Sequence, residues 1–266
     1  DAALKADATD KGDGGKVIVW ADETTRMYGA ISAKGGAQAG DGGFVETSGR
    51  VPVDFSRARV NASTTKGRAG MWLIDPSDLS ITAAGASALA AALDTGDSGT
   101  DVVVTENDSP IYGAGSCCNG QILVNSPIAW TKPSHLTLDA VNGIQVNKTI
   151  TNTAPGASLS LIAGTNGVFQ DPTNGAISVD KLEVVSVGGV TMMNADNSIK
   201  TLAAAANVDF RFYNVMALAI GAAGGISGVS AAGHAVALQV VGGITQSAPI
   251  TAASPSQAPS GAAACA

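Results

Sequence analysis

The chain is short of the residues from which most active sites are made. Its 266 residues include only two histidines, His135 and His234, so a zinc cluster or a Ser-His-Asp set has little material. The three cysteines, Cys117, Cys118 and Cys265, form no Cys-x-x-Cys pair, which weakens a zinc or thioredoxin-type reading. Charged residues are 14% of the chain and aromatics 4%, where a globular enzyme carries more of both. The net charge of −7 argues against nucleic acid or anionic membrane as main partner. No run of ~18 apolar residues lacks glycine or polar breaks, so no membrane-spanning helix is expected. No secretory signal is recognisable, and the abrupt start at Asp1 reads as that of a processed product or an excised fragment.

What the chain has instead is 33 glycines and a wealth of Ala, Val, Ile, Ser, Thr and Asn. Small and β-branched side chains suit thin stacked sheets, and Gly and Asn suit frequent turns. The stretch 143–163 is the organising phrase. Ile144 and Val146 alternate, Asn147 turns the chain, Ile150 starts a second short strand, and Leu159, Leu161 and Ala163 alternate along a third. Ile122, Val124, Asn125 and Ile128 repeat the first part, as do Ile244, Gln246, Ser247 and Ile250. Leu136-Thr137-Leu138 and Leu159-Ser160-Leu161 lie 23 residues apart. Glycine-apolar starts at Gly143, Gly167, Gly189, Gly225 and Gly243 are spaced by 24, 22, 36 and 18, with room for two short coils in the longest step. A period of roughly 20 residues with strand texture predicts a solenoid.

Before that region, strands are expected at 16–21, 42–47 and 51–62, with two pieces at 69–82 around the Asp75-Pro76-Ser77-Asp78 turn. One short helix is expected near 86–95, with Ala88, Leu89, Ala92 and Leu93 on one face, Ser87 as cap and Gly96 as stop. Residues 107–119 read as an irregular insertion. The domain reading is one elongated unit over 1–253 and a flexible low-complexity tail over 254–266.

Chemistry-bearing candidates are sparse. Asp75 with Asp78, and Asp22 with Glu23, read as turn caps and solvated loops. His135 and His234 read as exposed turn residues. GDGGK at 12–16 and GDGG at 40–43 lack the Lys-Ser or Lys-Thr of a phosphate loop and the nonapeptide calcium repeat. They read as turns, with weak calcium binding at Asp13 or Asp41 as the other option. No catalytic, cofactor or metal site is expected. Three sequons begin at Asn61, Asn107 and Asn147; Asn61 and Asn147 are the glycosylation candidates, and Asn147 is equally explained as a stacking turn residue. In a secreted protein Cys265 could pair with Cys117 or Cys118, link subunits, or stay free.

Residues 12–50 (GDGGKVIVWADETTRMYGAISAKGGAQAGDGGFVETSGR) and 70–82 (GMWLIDPSDLSIT) resemble the filamentous-haemagglutinin-like large exoproteins, the secreted partners of two-partner secretion in Gram-negative bacteria. Residues 87–106, 120–130 and 136–164 continue the likeness. The resemblance implies a right-handed parallel β-helix, exported through an outer-membrane secretion partner and displayed on the cell surface or released outside the cell. Family members are commonly adhesins, with a host or cell-surface glycan or protein as receptor. The expectation is thus an all-β β-solenoid of roughly ten coils, on the order of 50 Å long, acting as a structural or adhesive segment without catalysis. End-to-end stacking into a filament is the alternative, because solenoid ends expose unpaired strand edges. Less favoured are a polysaccharide-active enzyme with a groove around Arg57, Arg59, Asp75 and Asp78, and a carbohydrate-binding module stacking sugars on Trp20, Trp72, Trp130 and Tyr112.

Overall fold

A computed structural model describes residues 2–76, 79–106 and 120–253. Within them the regular structure is strand apart from one helix, Ala83–Leu93. Every strand pair except Ala222–Ala223 with Ile226–Ser227 is parallel. A 14-stranded sheet carries Lys16–Arg26, Phe44–Asp54, Met71–Asp75, Asp101–Glu106, His135–Ala140, Ser158–Ala163, Ile177–Ser186 and Ser198–Ala206 in succession, ending at Ile244–Gln246. A 7-stranded sheet runs from Leu79–Ile81 through Gln121–Val124, Gly143–Val146, Gly167–Gln170, Val190–Met192 and Phe210–Asn214 to Val236–Val240. A 3-stranded sheet joins Ala3–Lys5, Ala30–Ser32 and Arg59–Asn61. The chain alternates between sheets, and each return pairs with the strand left on the previous visit.

Parallel strands in register place like positions over one another. In the long sheet Val45, Trp72, Val102, Leu136, Leu159, Leu182, Leu202 and Ile220 form one inward ladder, each paired with the next. In the second sheet Leu79, Ile122, Ile144, Val168, Val190 and Phe210 form another. All of these are buried and belong to one continuous apolar cluster. Burying each such side chain contributes about 1.5–3 kcal/mol, and the ladders repeat that term layer after layer. The 23-residue Leu-Thr-Leu and Leu-Ser-Leu phrases pair residue for residue, Leu136 with Leu159 and Leu138 with Leu161.

Glycine marks the second sheet only where space demands it. A Cβ on Gly167 would lie 2.0 Å from the Gly189 carbonyl oxygen, and φ there is +77°. At Gly189 the nearest atom to a Cβ, the Asp209 carbonyl oxygen, is 3.7 Å away. The layers beyond therefore start with Asp209 and Ala235, and the glycine spacing read from sequence loses the sheet there. Gly225-Ile226 enters the antiparallel hairpin, and Gly243-Ile244 begins a strand of the long sheet against Leu218. The phrase at Ile244 thus does not repeat the placement of Ile144.

The helix begins three residues earlier than the sequence suggests. Thr82 precedes it in extended backbone without a side-chain cap bond. Ser87 lies inside, donating to the Ala83 carbonyl, and Gly96 at φ +53° follows the end. The helix buries Ala86, Ala88, Leu89, Ala92 and Leu93 against strands Arg59–Asn61, Asp101–Glu106 and Ile128–Ala129.

Two polar devices bind the layers. First, an aspartate in one layer accepts a backbone N–H from a neighbouring layer: Asp7 from Lys34, Asp13 from Asp41, Asp41 from Arg68, Asp94 from Thr131, Asp101 from His135 and Asp209 from Ala235, at 2.6–3.1 Å. Asp180 does the same in the opposite direction for Gly156. Such turns leave backbone donors that the sheets cannot satisfy. Second, the ladder of Ile81, Val124 and Val146 continues into buried Gln170. Its amide exchanges two hydrogen bonds with Asn197, at 2.6 and 2.9 Å. Asn197 also accepts from the Ile177 N–H, and Asn214 bonds both backbone groups of Ile199. The interior is therefore polar at this corner, where full pairing removes the desolvation penalty.

Cys117, Cys118, Cys265, Tyr112, Asn107 and Asp78 lie outside the described residues, as do the proposed insertion and tail.

Two outcomes test the register and the corner. Ile144→Asp should abolish the cooperative thermal transition, while Gln145→Asp, one residue on and outward, should leave it within a few degrees. Asn197→Ala should lower the unfolding free energy by about 2–3 kcal/mol in urea titration, because it strands the Ile177 N–H and removes one partner from each end of the Gln170 amide.

Candidate functional site

The outward positions of the two long sheets carry the polar side chains that could touch a ligand. On the long sheet, Asp101, His135 and Ser158 begin three consecutive strands. The Asp101 carboxylate accepts the His135 backbone N–H at 2.8 Å, and His135 Nδ1 is hydrogen-bonded to Ser158 Oγ. One position further along, Thr137, Ser160 and Glu183 lie side by side. Ser160 Oγ donates to Glu183 Oε2, and the Gly225 N–H of the hairpin donates to Oε1 at 2.7 Å. The hairpin thereby covers the sheet, and Ser160, Glu183 and Ala203 beneath it are buried.

His135 is therefore not the exposed turn residue expected from its Pro-Ser context. Burial lowers its pKa below 6.5, and the nearby charges of Asp101 and Glu183 only partly restore it. Burial likewise raises Asp101, Asp75 and Asp139 on the same face, with the Thr105 side chain opposing the shift at Asp75. A neutral imidazole against a serine hydroxyl can take its proton. A catalytic set also needs an acid on the other ring nitrogen to orient the base. The two acids here are engaged otherwise: Asp101 holds backbone N–H, and Glu183 holds Ser160 and Gly225. The arrangement serves as an interlayer lock.

The residues singled out in the sequence scatter. Asp75 lies on the long sheet beside Glu46 and Thr105, whereas Arg57 and Arg59 line a hollow with Tyr28, Ser87 and Ala91, Arg57 standing over the Tyr28 ring. Asp41 is gripped by Arg68 at 2.7 Å and held below the usual carboxylate range by the Arg68 backbone N–H and guanidinium. No group of three His, Cys, Asp or Glu side chains able to hold a metal occurs among the described residues. Trp72 and Trp130 are core residues; Trp72 donates to Thr47 and meets Phe55 edge-on at 5.8 Å. Trp20 alone of the three is exposed. Asn147 donates from Nδ2 to Asn125, which donates in turn to Ser80, a ladder of turn amides. Asn61 accepts from both the backbone and hydroxyl of Ser63, itself buried. His234 is exposed, 3.9 Å from Asp209.

Sequence reading missed a concave lane on the second sheet. Gln121, Gly143 and Gly167 stand abreast at outward positions, and Gln145 and Phe169 follow two residues later as direct neighbours. With Asn166 they enclose a hollow of about 260 Å³. Gln145 Nε2 donates to Gln121 Oε1 at 3.1 Å, and Phe169 is 51% exposed. The lane joins residues of three separate strands, so no single stretch of sequence displays it.

A pH dependence follows from His135. Its folded-state pKa is lowered, so the unfolded chain binds the proton more readily. Its contribution is intact above about pH 6.5 and is lost as pH falls below that value. Asp75, Asp101 and Asp139, which burial raises, act in the opposite sense. The urea midpoint should therefore fall between about pH 7.5 and 5.5, and His135→Gln should flatten that slope.

Comparison of the chain with protein-family models, with curated proteins and with solved structures gives no match.

Proposed function

We propose that the chain is a structural and adhesive segment of a secreted or surface-displayed fibrous exoprotein, of the filamentous-haemagglutinin-like kind, and that it performs no catalysis. In this reading the parallel sheets close into a right-handed β-helix, whose coils are the successive visits to the two long sheets. It would reach the surface of a Gram-negative cell through an outer-membrane secretion partner and meet a host or cell-surface receptor with its lateral faces.

The observation that carries the reading is the way the ladders end. Ile244 continues the ladder position of Leu218, and Ile250 that of Val229. Leu218 and Val229 are 1% exposed, whereas Ile244 is 48% and Ile250 37% exposed. Val236 and Leu238 stand over buried Phe210 and Phe212 yet are only partly covered. Among the described residues this layer has nothing over it, which suits a stack that continues. Among those residues, too, no helix is long and apolar enough to cross a membrane.

The same observation favours a second reading, head-to-tail stacking of copies. At the opposite end Leu4 is 46% exposed at the ladder position of Ile31, and Val17 and Val19 are partly buried. Two apolar, in-register ends with open strand edges are a template for pairing.

Negative-stain electron microscopy of the purified chain should show rods on the order of 50 Å long, and beads coated with the chain should be retained on cell surfaces. Compact particles without an axis, or beads that wash off like uncoated ones, would sink the reading. Fibres of uniform width would establish the stacking form; dispersed rods with and without reductant would remove it.

A further inference from the structure

The geometry points to the lane on the second sheet as a binding site for a neutral oligosaccharide. The inference deepens the adhesive reading and rests on it for its setting, but its chemistry belongs to six residues: Gln121, Gly143, Gln145, Asn166, Gly167 and Phe169.

Three observations carry it. The first is shape. Gln121, Gln145, Asn166 and Phe169 surround a hollow of about 260 Å³, with the buried backbone of Gly143 and Gly167 as its floor. Neighbouring strands are about 4.8 Å apart, comparable with the rise of one sugar unit, so a short chain laid along the lane meets a new strand at each step, Gln145 and then Phe169. The second is the donor set. Gln121 and Gln145 are already joined through Nε2 and Oε1, which fixes both amide planes. That bond leaves the Gln145 Oε1 acceptor and the Gln121 Nε2 donors outside it, and exposed Asn166 adds a third amide to the lining of the hollow. Amides offer adjacent donors and acceptors, the pattern that vicinal hydroxyls reciprocate. The third is the aromatic. Phe169 sits beside Gln145 with half its surface in solvent, in a chain with five phenylalanines of which Phe55, Phe210 and Phe212 are buried. The negative face of its ring attracts the polarised C–H groups of a sugar ring.

The charge pattern selects a neutral ligand. None of the lining residues is ionisable. The nearest charge along the ladder is Arg211, two strands beyond Phe169 and engaged with Asp209 at 3.7 Å. An acidic glycan would gain nothing in the lane itself.

The test uses the full chain and saturation-transfer NMR against short neutral gluco-, galacto- and manno-oligosaccharides, with heparin and polygalacturonate as charged probes. At least one neutral series should receive saturation. Phe169→Ala should weaken it about tenfold, as should Gln145→Ala, with the melting temperature unchanged because both side chains are outward. Arg211→Ala should leave neutral binding as it was. No saturation of any neutral series, neutral binding that survives Phe169→Ala, or binding of the charged probes alone that is lost in Arg211→Ala would each overturn the site. Rods without saccharide binding would remove the site and leave the fibrous reading; compact particles would remove that reading whatever the lane binds.

Discussion

Everything in this molecule depends on parallel backbone pairing held in register from one layer to the next. Parallel strands need long connections and covered inner faces. Here the connection is a visit to another sheet, and the cover is that other sheet. Register is what converts this economy of sequence into a core. When Leu136 stands over Leu159 and Ile144 over Val168, each side chain is packed by its own kind above and below, with no need for bulky aromatics. Stability is then nearly a sum of neighbouring-layer terms, and the weakest points are the two ends.

Between strands, the polypeptide must turn without stranding backbone groups. Glycines solve the problem where layers nearly touch, as at Gly167. Aspartates solve it where they stand apart, by reaching one layer over to a backbone N–H, as Asp13, Asp41 and Asp101 do. Most of the charge this sparsely charged chain retains on such turns is therefore structural. The same holds for the groups that look most like chemistry. His135 with Ser158, and Ser160 with Glu183, form two separate hydrogen bonds across neighbouring strands, and the Gly225 N–H extends the second by strapping the hairpin over the sheet.

How much of this was legible in the sequence varies with the kind of signal. Period-two alternation identified the inward residues of 122–124, 144–146 and 159–163, because burial of one sheet face leaves no other pattern. The 23-residue spacing of the leucine phrases matched their pairing, because parallel register repeats the chain's own period. Glycine spacing succeeded through Gly189 and then failed, since glycine reports a close approach and the approach relaxes at Asp209. Ser87 failed as a cap because Thr82 lay nearer the true start. His135 failed because a Pro-Ser neighbourhood describes the turn before it and not the strands on either side.

The amino-acid sequence by itself determined that the chain is built of repeated β layers whose inward residues are mostly apolar, because alternation and repeat length are local properties that every layer must satisfy. Only the tertiary structure decided which polar residues meet. Asp101 reaches His135 across 34 positions, Glu183 reaches Gly225 across 42, and the Gln121–Gln145–Phe169 lane spans three visits to one sheet. Such meetings depend on the length of every intervening connection, and no short window of sequence contains it.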